Sequence, residues 1–309
     1  MPEKNIKVAV LAGGIGSERQ ISLQSGENIF AAVKEAGFEA VLSDITPDDL
    51  SILDDKSIDV FFLALHGEFG EDGQVQRILE DRGLCYAGSD SRASELAFDK
   101  AASKEAFRGA GIKVAKDMLI NKGVEEPDLY ERISKFGEKF VIKPIKQGSS
   151  VGVEIVSGAK AACEAANRCA AEFGDCMIEE FIGGREITAG IVDGQALPIV
   201  EIVSKVDFYN YYAKYLDNAT EFLLDTIKDK GLIERINESA VKSFECLGCR
   251  HFGRVDMILT DKGEPYVLEM NTLPGFTSHS LLPLAAARAG MGADKLCTRI
   301  IEAALKDFN

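Results

Sequence analysis

The chain of 309 residues contains no run of eighteen or more apolar residues, so no part of it is read as a membrane-spanning helix. Basic residues are scarce: 35 Lys and Arg stand against 50 Asp and Glu, a net charge of −15. That balance leaves no basic face for nucleic acid or an anionic membrane surface. A small anionic ligand is a different matter, because it needs only a local cluster of cations. The opening stretch, MPEKNIKVAVLAGG, lacks the apolar region and cleavage site of a secretion signal and runs directly into a strand pattern. The seven cysteines (Cys85, Cys163, Cys169, Cys176, Cys246, Cys249, Cys297) are odd in number and scattered. That is the usage of reduced thiols in a cytoplasmic protein rather than of a disulfide framework. Cys246 and Cys249, with His251 beside them, have no second pair and make a poor zinc site. There is no GxxxxGK[ST] sequence, no internal repeat and no low-complexity tract. The glycine loop Ala12–Ser17 lacks the third glycine of a dinucleotide fingerprint, which counts against a nicotinamide-dependent dehydrogenase.

What is present is ordinary globular composition, 46% apolar and 28% charged, in a length suited to two or three domains. Strands and helices alternate. Ile6–Leu11 reads as a buried strand, followed by the glycine turn and a helix over Ile21–Ala36 with apolar spacing at Ile21, Leu23, Ile29, Phe30 and Val33. Further strands are read at Phe38–Ser43 and Asp59–Leu65, a short helix at Val75–Asp81 and a short strand at Cys85–Gly88. Residues 1–92 thus form one α/β unit. Ligands of open α/β sheets bind beyond the carboxyl ends of strands, which is where Glu18 and His66 fall. Glu18 suits two roles, a first-turn acid favoured by the helix dipole or a carboxylate offered to a substrate ammonium.

A second α/β unit, 93–182, begins with a helix over Ala93–Gly111 carrying Asp99-Lys100. Strands follow at Lys113–Ile120, Lys139–Lys143, Val153–Val156 and Cys176–Phe181. Its loop Lys143-Pro-Ile-Lys-Gln-Gly-Ser-Ser-Val-Gly152 is either an ordinary hairpin loop or a phosphate grip of amides and hydroxyls backed by Lys143. The third unit, 183–309, opens with a hinge at Gly183–Glu186 and a hairpin, Ile187–Val192 with Leu197–Val203. Lys205–Asp217 holds four of the seven tyrosines and reads as a lid loop, with Lys214 able to close over phosphates. A helix over Leu232–Leu247 leads to a second hairpin, and two helices within Leu281–Leu305 close the chain.

The second hairpin is the most informative stretch. Arg254–Thr260 alternates in character, Asp261-Lys262-Gly263 turns, and Glu264–Met270 returns. A turn centred on Lys262-Gly263 sets Asp256 opposite Glu269, and period-2 alternation puts Asn271 on the same face. Two carboxylates and an amide oxygen suit Mg²⁺ completed by phosphate and water. A solvated acidic face is the plain alternative, but it leaves Glu269 and Asn271 unexplained among Val, Leu and Met. It also leaves unexplained the hydroxyl-rich turn Thr272–Ser280. Lys100, Lys143, Lys214 and Arg254 are available to a polyphosphate. ATP with Mg²⁺ between the second and third units therefore fits, with a small zwitterion held near Glu18 and His66.

Five motifs in this order resemble the D-alanine–D-alanine ligases of the ATP-grasp superfamily nearly end to end. They are Leu65-His-Gly-Glu-Phe-Gly-Glu-Asp-Gly73, Lys143 through Gly152, Ala213-Lys-Tyr-Leu216, Gly253-Arg-Val-Asp256 and Leu268-Glu-Met-Asn-Thr-Leu-Pro-Gly-Phe-Thr-Ser-His-Ser280. The resemblance implies an ATP-grasp fold of three α/β (α+β) domains with ATP between the central and C-terminal ones. It implies ligation of two D-alanines through a D-alanyl phosphate, in a cytoplasmic homodimer that supplies a peptidoglycan precursor. Asp256, Glu269 and Asn271 would hold two Mg²⁺ (or Mn²⁺) ions. Lys100, Lys143, Ser149, Ser150 and Lys214 would face the phosphates, while Glu179, Glu180, Glu186 and the backbone of Phe181 and Ile182 would face adenosine. Glu180 stands where relatives often carry a lysine. Glu18 and His66 would take the first D-alanine. Arg254 and the Gly275 amide would stabilise the oxyanion, and Ser280 with the Leu281 amide would hold the second carboxylate. Ser149 and Tyr215 would link to Glu18 across closed lids, Tyr215 being the residue type of dipeptide-forming rather than depsipeptide-forming relatives. Another ATP-grasp carboxylate–amine ligase, a D-alanine–D-lactate ligase and a non-catalytic ATP/Mg²⁺-binding module are the rivals.

Overall fold

A computed structural model describes residues 6–121, 126–204, 220–277 and 279–308. The expected lid Lys205–Asp217, with Lys214 and Tyr215, and Ser278 of the serine loop lie outside these residues.

The first sheet is parallel throughout. It comprises β1 (Lys7–Gly13), β2 (Glu39–Ile45), β3 (Val60–Leu63) and β4 (Tyr86–Ala87), in the order β2-β1-β3-β4. β1 and β3 are apolar and buried along nearly their whole length, as parallel strands covered on both faces must be. Helices α1 (Arg19–Glu35) and α2 (Gln74–Asp81) follow β1 and β3.

Two antiparallel sheets complete the α/β (α+β) architecture. One contains β5 (Asp117–Ile120), β6 (Lys139–Pro144), β7 (Glu154–Ser157) and β8 (Cys176–Glu180), ordered β5-β8-β6-β7. Helices α5 (Glu126–Ser134) and α6 (Ala159–Phe173) pack with it. The other is ordered β12-β11-β9-β13-β14, with β10 (Gln195–Ala196) beside β9. Its strands are β9 (Arg185–Val192), β11 (Val200–Ser204), β12 (Thr220–Leu224), β13 (Phe252–Leu259) and β14 (Pro265–Asn271). Helices α7 (Lys230–Cys246), α8 (Leu281–Arg288) and α9 (Ala293–Phe308) belong to the same stretch of chain.

Packing crosses the order of the chain. α9 lies against α1 and the first sheet, whereas α3 (Ser91–Phe98) and α4 (Lys100–Gly109) pack on β14 of the third. Phe62 of β3, Phe252 of β13 and Phe276 of the loop after β14 form an aromatic trio with centroids 5.7–5.9 Å apart, two of the three pairs edge-to-face. A loop residue thereby joins the core that binds the first sheet to the third.

The sequence pattern of one helix over Ala93–Gly111 is corrected here to two. Asp99 is extended, and its carboxylate accepts the amides of Ala101 and Ala102 at 3.0 Å, ending α3 and starting α4. The apolar spacing runs through this break because both helices bury a face on the same core. The break places Lys100 at the first position of α4, where its amide donates to Ile145 O at 3.1 Å.

His251 has a left-handed backbone, φ 64°. Its Nδ1 accepts the Gly88 amide at 3.1 Å and its Nε2 faces Asp307 of α9 at 3.2 Å, so it docks the last helix. Burial pushes the pKa of both His251 and His66 down to about 4. Each group takes up a proton in the unfolded chain near about pH 6.5 but in the folded chain only near about pH 4. Stability therefore falls as the pH drops through that interval, by up to about 1.4 kcal/mol per unit and per group, and no further below it. His251→Asn tolerates the left-handed backbone. It is expected to be less stable than the parent at about pH 7 yet to lose less on going to about pH 5, as urea midpoints at the two values will show.

Candidate active site

The β13–β14 hairpin pairs Arg254 with Asn271 and Asp256 with Glu269, so all four side chains share one face. The register arises differently from a simple two-residue turn. Residues from Met257 onward pair as if the turn were centred on Lys262, and a bulge between Asp256 and Met257 restores the Asp256–Glu269 match.

Asp256 is held on all sides. It accepts a bidentate pair from Arg254 Nε and Nη2 at 2.8 and 2.7 Å, the Thr188 hydroxyl at 2.6 Å and the Asn271 amide at 3.0 Å. Asn271 thus turns its Nδ2 to Asp256 and keeps its oxygen for another partner. Glu269 sits 3.5 Å from Lys100 Nζ. Two carboxylates and an amide oxygen are a hard donor set that leaves part of an octahedral shell to phosphate and water, so these residues fit Mg²⁺.

Two cavities meet at this face. One, of about 460 Å³, is lined by Lys100, Lys143, Ser150, Glu179, Glu180, Phe181, Ile182 and Glu186, with Val141, Ile155, Ile258 and Leu268 as apolar walls. Its size is that of a small-molecule cleft. The other, of about 200 Å³, is lined by Glu18, His66, Ser149, Gly275, Ser280 and Leu281. Asp256, Glu269 and Glu186 line both.

In the larger cavity Lys143 Nζ lies 2.8 Å from Glu179. Burial opposes ionisation of Glu179, but Lys143 and Lys104 outweigh it and hold the carboxyl below its usual range. The Glu180 carboxylate accepts the Lys116 amide at 2.9 Å, so it is held by the neighbouring strand end. The Phe181 amide donates to Lys139 O at 3.0 Å. Of the backbone expected to read adenine, that one N–H is therefore already engaged, which leaves the remaining groups of Phe181 and Ile182.

The glycine–serine loop folds over from β6. Ser149 and Ser150 are left-handed, with φ 51° and 58°, and Lys100 Nζ ties the loop to α4 through Gln147 O at 2.6 Å. At its tip the Ser149 hydroxyl hydrogen-bonds the Glu18 carboxylate. Glu18 stands at the N-terminus of α1 without capping it, so its carboxylate crosses to the loop instead. Gly67 has φ 65°, and a Cβ there would lie 2.5 Å from Glu18 Oε2, so a side chain at this position would push that carboxylate aside.

His66 Nδ1 faces the Leu273 carbonyl at 3.1 Å, and a carbonyl only accepts, so Nδ1 carries the proton. Nε2 then accepts from the Ser25 hydroxyl at 3.1 Å, and the Ser25 oxygen in turn accepts the Phe276 amide at 3.2 Å. Ser280 Oγ meets the Thr277 amide at 2.8 Å and begins α8. The Leu281 amide is among the first of that helix, which have no intrahelical acceptor.

The sequence reading missed three groups. Ser22 and Ser25 form a buried polar stripe on α1: Ser22 accepts the Gly13 amide at 2.8 Å and donates to Ala64 O at 2.9 Å. The three-residue spacing of two small hydroxyls, between the apolar positions, was the available signal. Glu71 accepts the Gly67 amide at 2.8 Å. Its withdrawal from water, and then Glu18 beside it, push its pKa up to about 8. Lys104, fully buried, carried no sequence signal beyond helical spacing from Lys100.

The sequence profile described as D-ala D-ala ligase C-terminus matches residues 107–302, and that described as D-ala D-ala ligase N-terminus matches 49–89. The chain belongs to the D-alanine–D-alanine ligase family. It is 41% identical over 304 residues to the D-alanine–D-alanine ligase of Citrifermentans bemidjiense, with 97% of each chain covered. It is 40% identical over 295 residues to that of Methylacidiphilum infernorum, with 96% of this chain and 94% of the relative covered. The crystal structure of the D-alanine–D-alanine ligase from Bacillus anthracis complexed with ATP matches with TM-score 0.84 and 33% identity over 98% of both chains. The VanG D-Ala:D-Ser ligase from Enterococcus faecalis matches with TM-score 0.85 and 27% identity over 97% of this chain and 100% of that one. The architecture is that of the ATP-grasp ligases of this family.

Proposed function

We propose that the chain joins two D-alanines into D-alanyl-D-alanine at the expense of ATP, through a D-alanyl phosphate. The observation that carries this is the meeting of the two cavities at Asp256 and Glu269. A nucleotide-sized cleft and an amino-acid-sized one share a wall of carboxylates, which is what acyl phosphate chemistry requires. A carboxylate is a poor acyl donor until its oxygen becomes a phosphate leaving group. Phosphoryl transfer, in turn, needs positioning and charge neutralisation more than a protein nucleophile.

In this reading the units 1–92, 93–182 and 183–309 divide the work. Glu18 accepts the ammonium of the first D-alanine, with Ser149 fixing the carboxylate that does so, and His66 packs beside it as a neutral imidazole. Lys100, Lys143 and Ser150 face the phosphates. Glu179, Glu180, Phe181, Ile182 and Glu186 surround adenosine. Asp256, Glu269 and Asn271 hold Mg²⁺, which neutralises phosphate charge when bound. The first carboxylate attacks the γ-phosphate, releasing ADP. The amine of the second D-alanine, whose carboxylate is held by Ser280 and the Leu281 amide, then attacks the acyl carbon. Arg254 and the Gly275 amide receive the oxyanion, phosphate leaves and the amide forms. The likeness to the family supports a cytoplasmic homodimer feeding peptidoglycan synthesis.

The test is ADP release with D-alanine as sole amino substrate, alongside mixtures of D-alanine with D-lactate or D-serine, the products being identified by mass. ADP formation that depends strictly on D-alanine, with the dipeptide as main product, is the expected result. D-alanine-independent hydrolysis, or a predominant mixed product, would sink the assignment.

A further inference from the structure

We propose that Lys104 is a positioning residue for adenine recognition, gripping Glu179 from behind the cavity wall so that its carboxylate meets the 6-amino group of the base. This rests on the reading of the larger cavity as the ATP site. Glu179 and Lys143 line that cavity and Lys104 does not. Its side chain is 1% exposed, and a lysine is almost never so buried unless paired. The pairing is specific. Register sets Asp117 of β5 directly opposite Glu179 of β8, and Lys104 Nζ sits between the two carboxylates. It hydrogen-bonds Glu179 Oε1 and lies 3.1 Å from Asp117 Oδ1. Arg108, one turn further along α4, pairs with the same Asp117 oxygen. Lys143 takes the second Glu179 oxygen at 2.8 Å. Each oxygen of Glu179 is thus fixed by one ammonium, and each retains a lone pair for another donor.

A clamp serving stability alone is poorly made this way, because a hydrophobic group of similar volume often holds as well as a buried ion pair. What the pair adds is an acceptor-only group locked in one orientation at the cavity wall. Such a group rewards a donor and rejects a base that lacks one, since an unmet buried acceptor is costly. An exocyclic amine is such a donor, and the 6-position of adenine carries one. The charged groups around Lys104 are Glu179 on β8, Asp117 on β5, Lys143 on β6 and Arg108 on its own helix.

The experiment compares ATP with purine riboside 5′-triphosphate, which lacks only the 6-amino group, at saturating D-alanine. Steady-state constants are measured for the parent, Lys104→Met and Glu179→Gln. Lys104→Met is expected to lower kcat/KM for ATP roughly ten- to a hundredfold, the span of a hydrogen bond to a charged group, and to do so through KM. The analogue should be turned over within about twofold of the parent and the KM for D-alanine should not move. A folded Lys104→Met that keeps the parental ATP preference, or loses both nucleotides equally, overturns the proposal. If Glu179→Gln loses the preference and Lys104→Met keeps it, only the role of Lys104 falls. If Glu179→Gln also keeps it, the reading of this wall as the adenine site fails too. Should Lys104→Met not fold, Lys104→Gln, which keeps the reach and removes the charge, is measured with the same two nucleotides, and a folded Lys104→Gln that keeps the parental ATP preference overturns the proposal.

Discussion

Glu269→Gln is expected to lower D-alanine-dependent ADP formation by roughly a hundred- to a thousandfold, the equivalent of several kcal/mol of metal-borne charge stabilisation. Glu269 lines both cavities, and its side chain is 27% exposed. Glutamine keeps its volume and reach, removes the charge and turns one acceptor oxygen into a donor. An isosteric change at this partly exposed residue should leave the stability within about 0.5 kcal/mol of the parent, so the lost rate reports chemistry rather than folding. The Mg²⁺ concentration giving half-maximal rate should also rise, because one anionic ligand is gone. A variant with full activity would show the metal assignment to be wrong.

Arg254→Lys should cost about a hundred- to a thousandfold in dipeptide formation, as removal of one preorganised oxyanion donor does elsewhere. The fork that meets Asp256 with two parallel hydrogen bonds cannot be copied by an ammonium on a flexible stem. The charge survives, so Asp256 is not left bare and the fold should persist. The diagnostic quantity is the ratio of phosphate released to dipeptide formed. If Arg254 acts on amine attack, the acyl phosphate still forms and is lost to water, and the ratio climbs above that of the parent. A ratio that stays at the parental value while both rates fall together would place Arg254 at the phosphoryl step instead.

Much of this site was legible in the order of residues because its chemistry is carried by short-range spacing. Residues two apart on a strand share a face whatever lies around them, so Glu269 and Asn271 were bound to lie together. Asp256 was placed opposite Glu269 from the turn alone, correctly in outcome, although a bulge rather than the turn achieves the match. The glycine–serine loop and the Glu18 position were visible as strand-end loops. The break at Asp99 was not, because both halves bury a face on one core and the apolar period continues across it. Lys104 and Ser25 were invisible for a related reason. Their meaning lies in partners 75 and 251 residues away, and local periodicity reports burial of a helix face without saying what that face touches.

The hairpin, the strand-end loops and the ionic character of the site therefore followed from the sequence by itself, since pleat, helix period and turn chemistry are local consequences of residue type. Ser149 meets Glu18 as the resemblance to the family implied, but tertiary structure alone decided two things: that His66 is a neutral imidazole fixed between Leu273 and Ser25, and that Glu179 is gripped from behind by Lys104. Each depends on long-range contacts that exclude water from charged or polar groups. Burial is what turns a lysine into a clamp and a histidine into a fixed tautomer, and burial belongs to the folded chain as a whole.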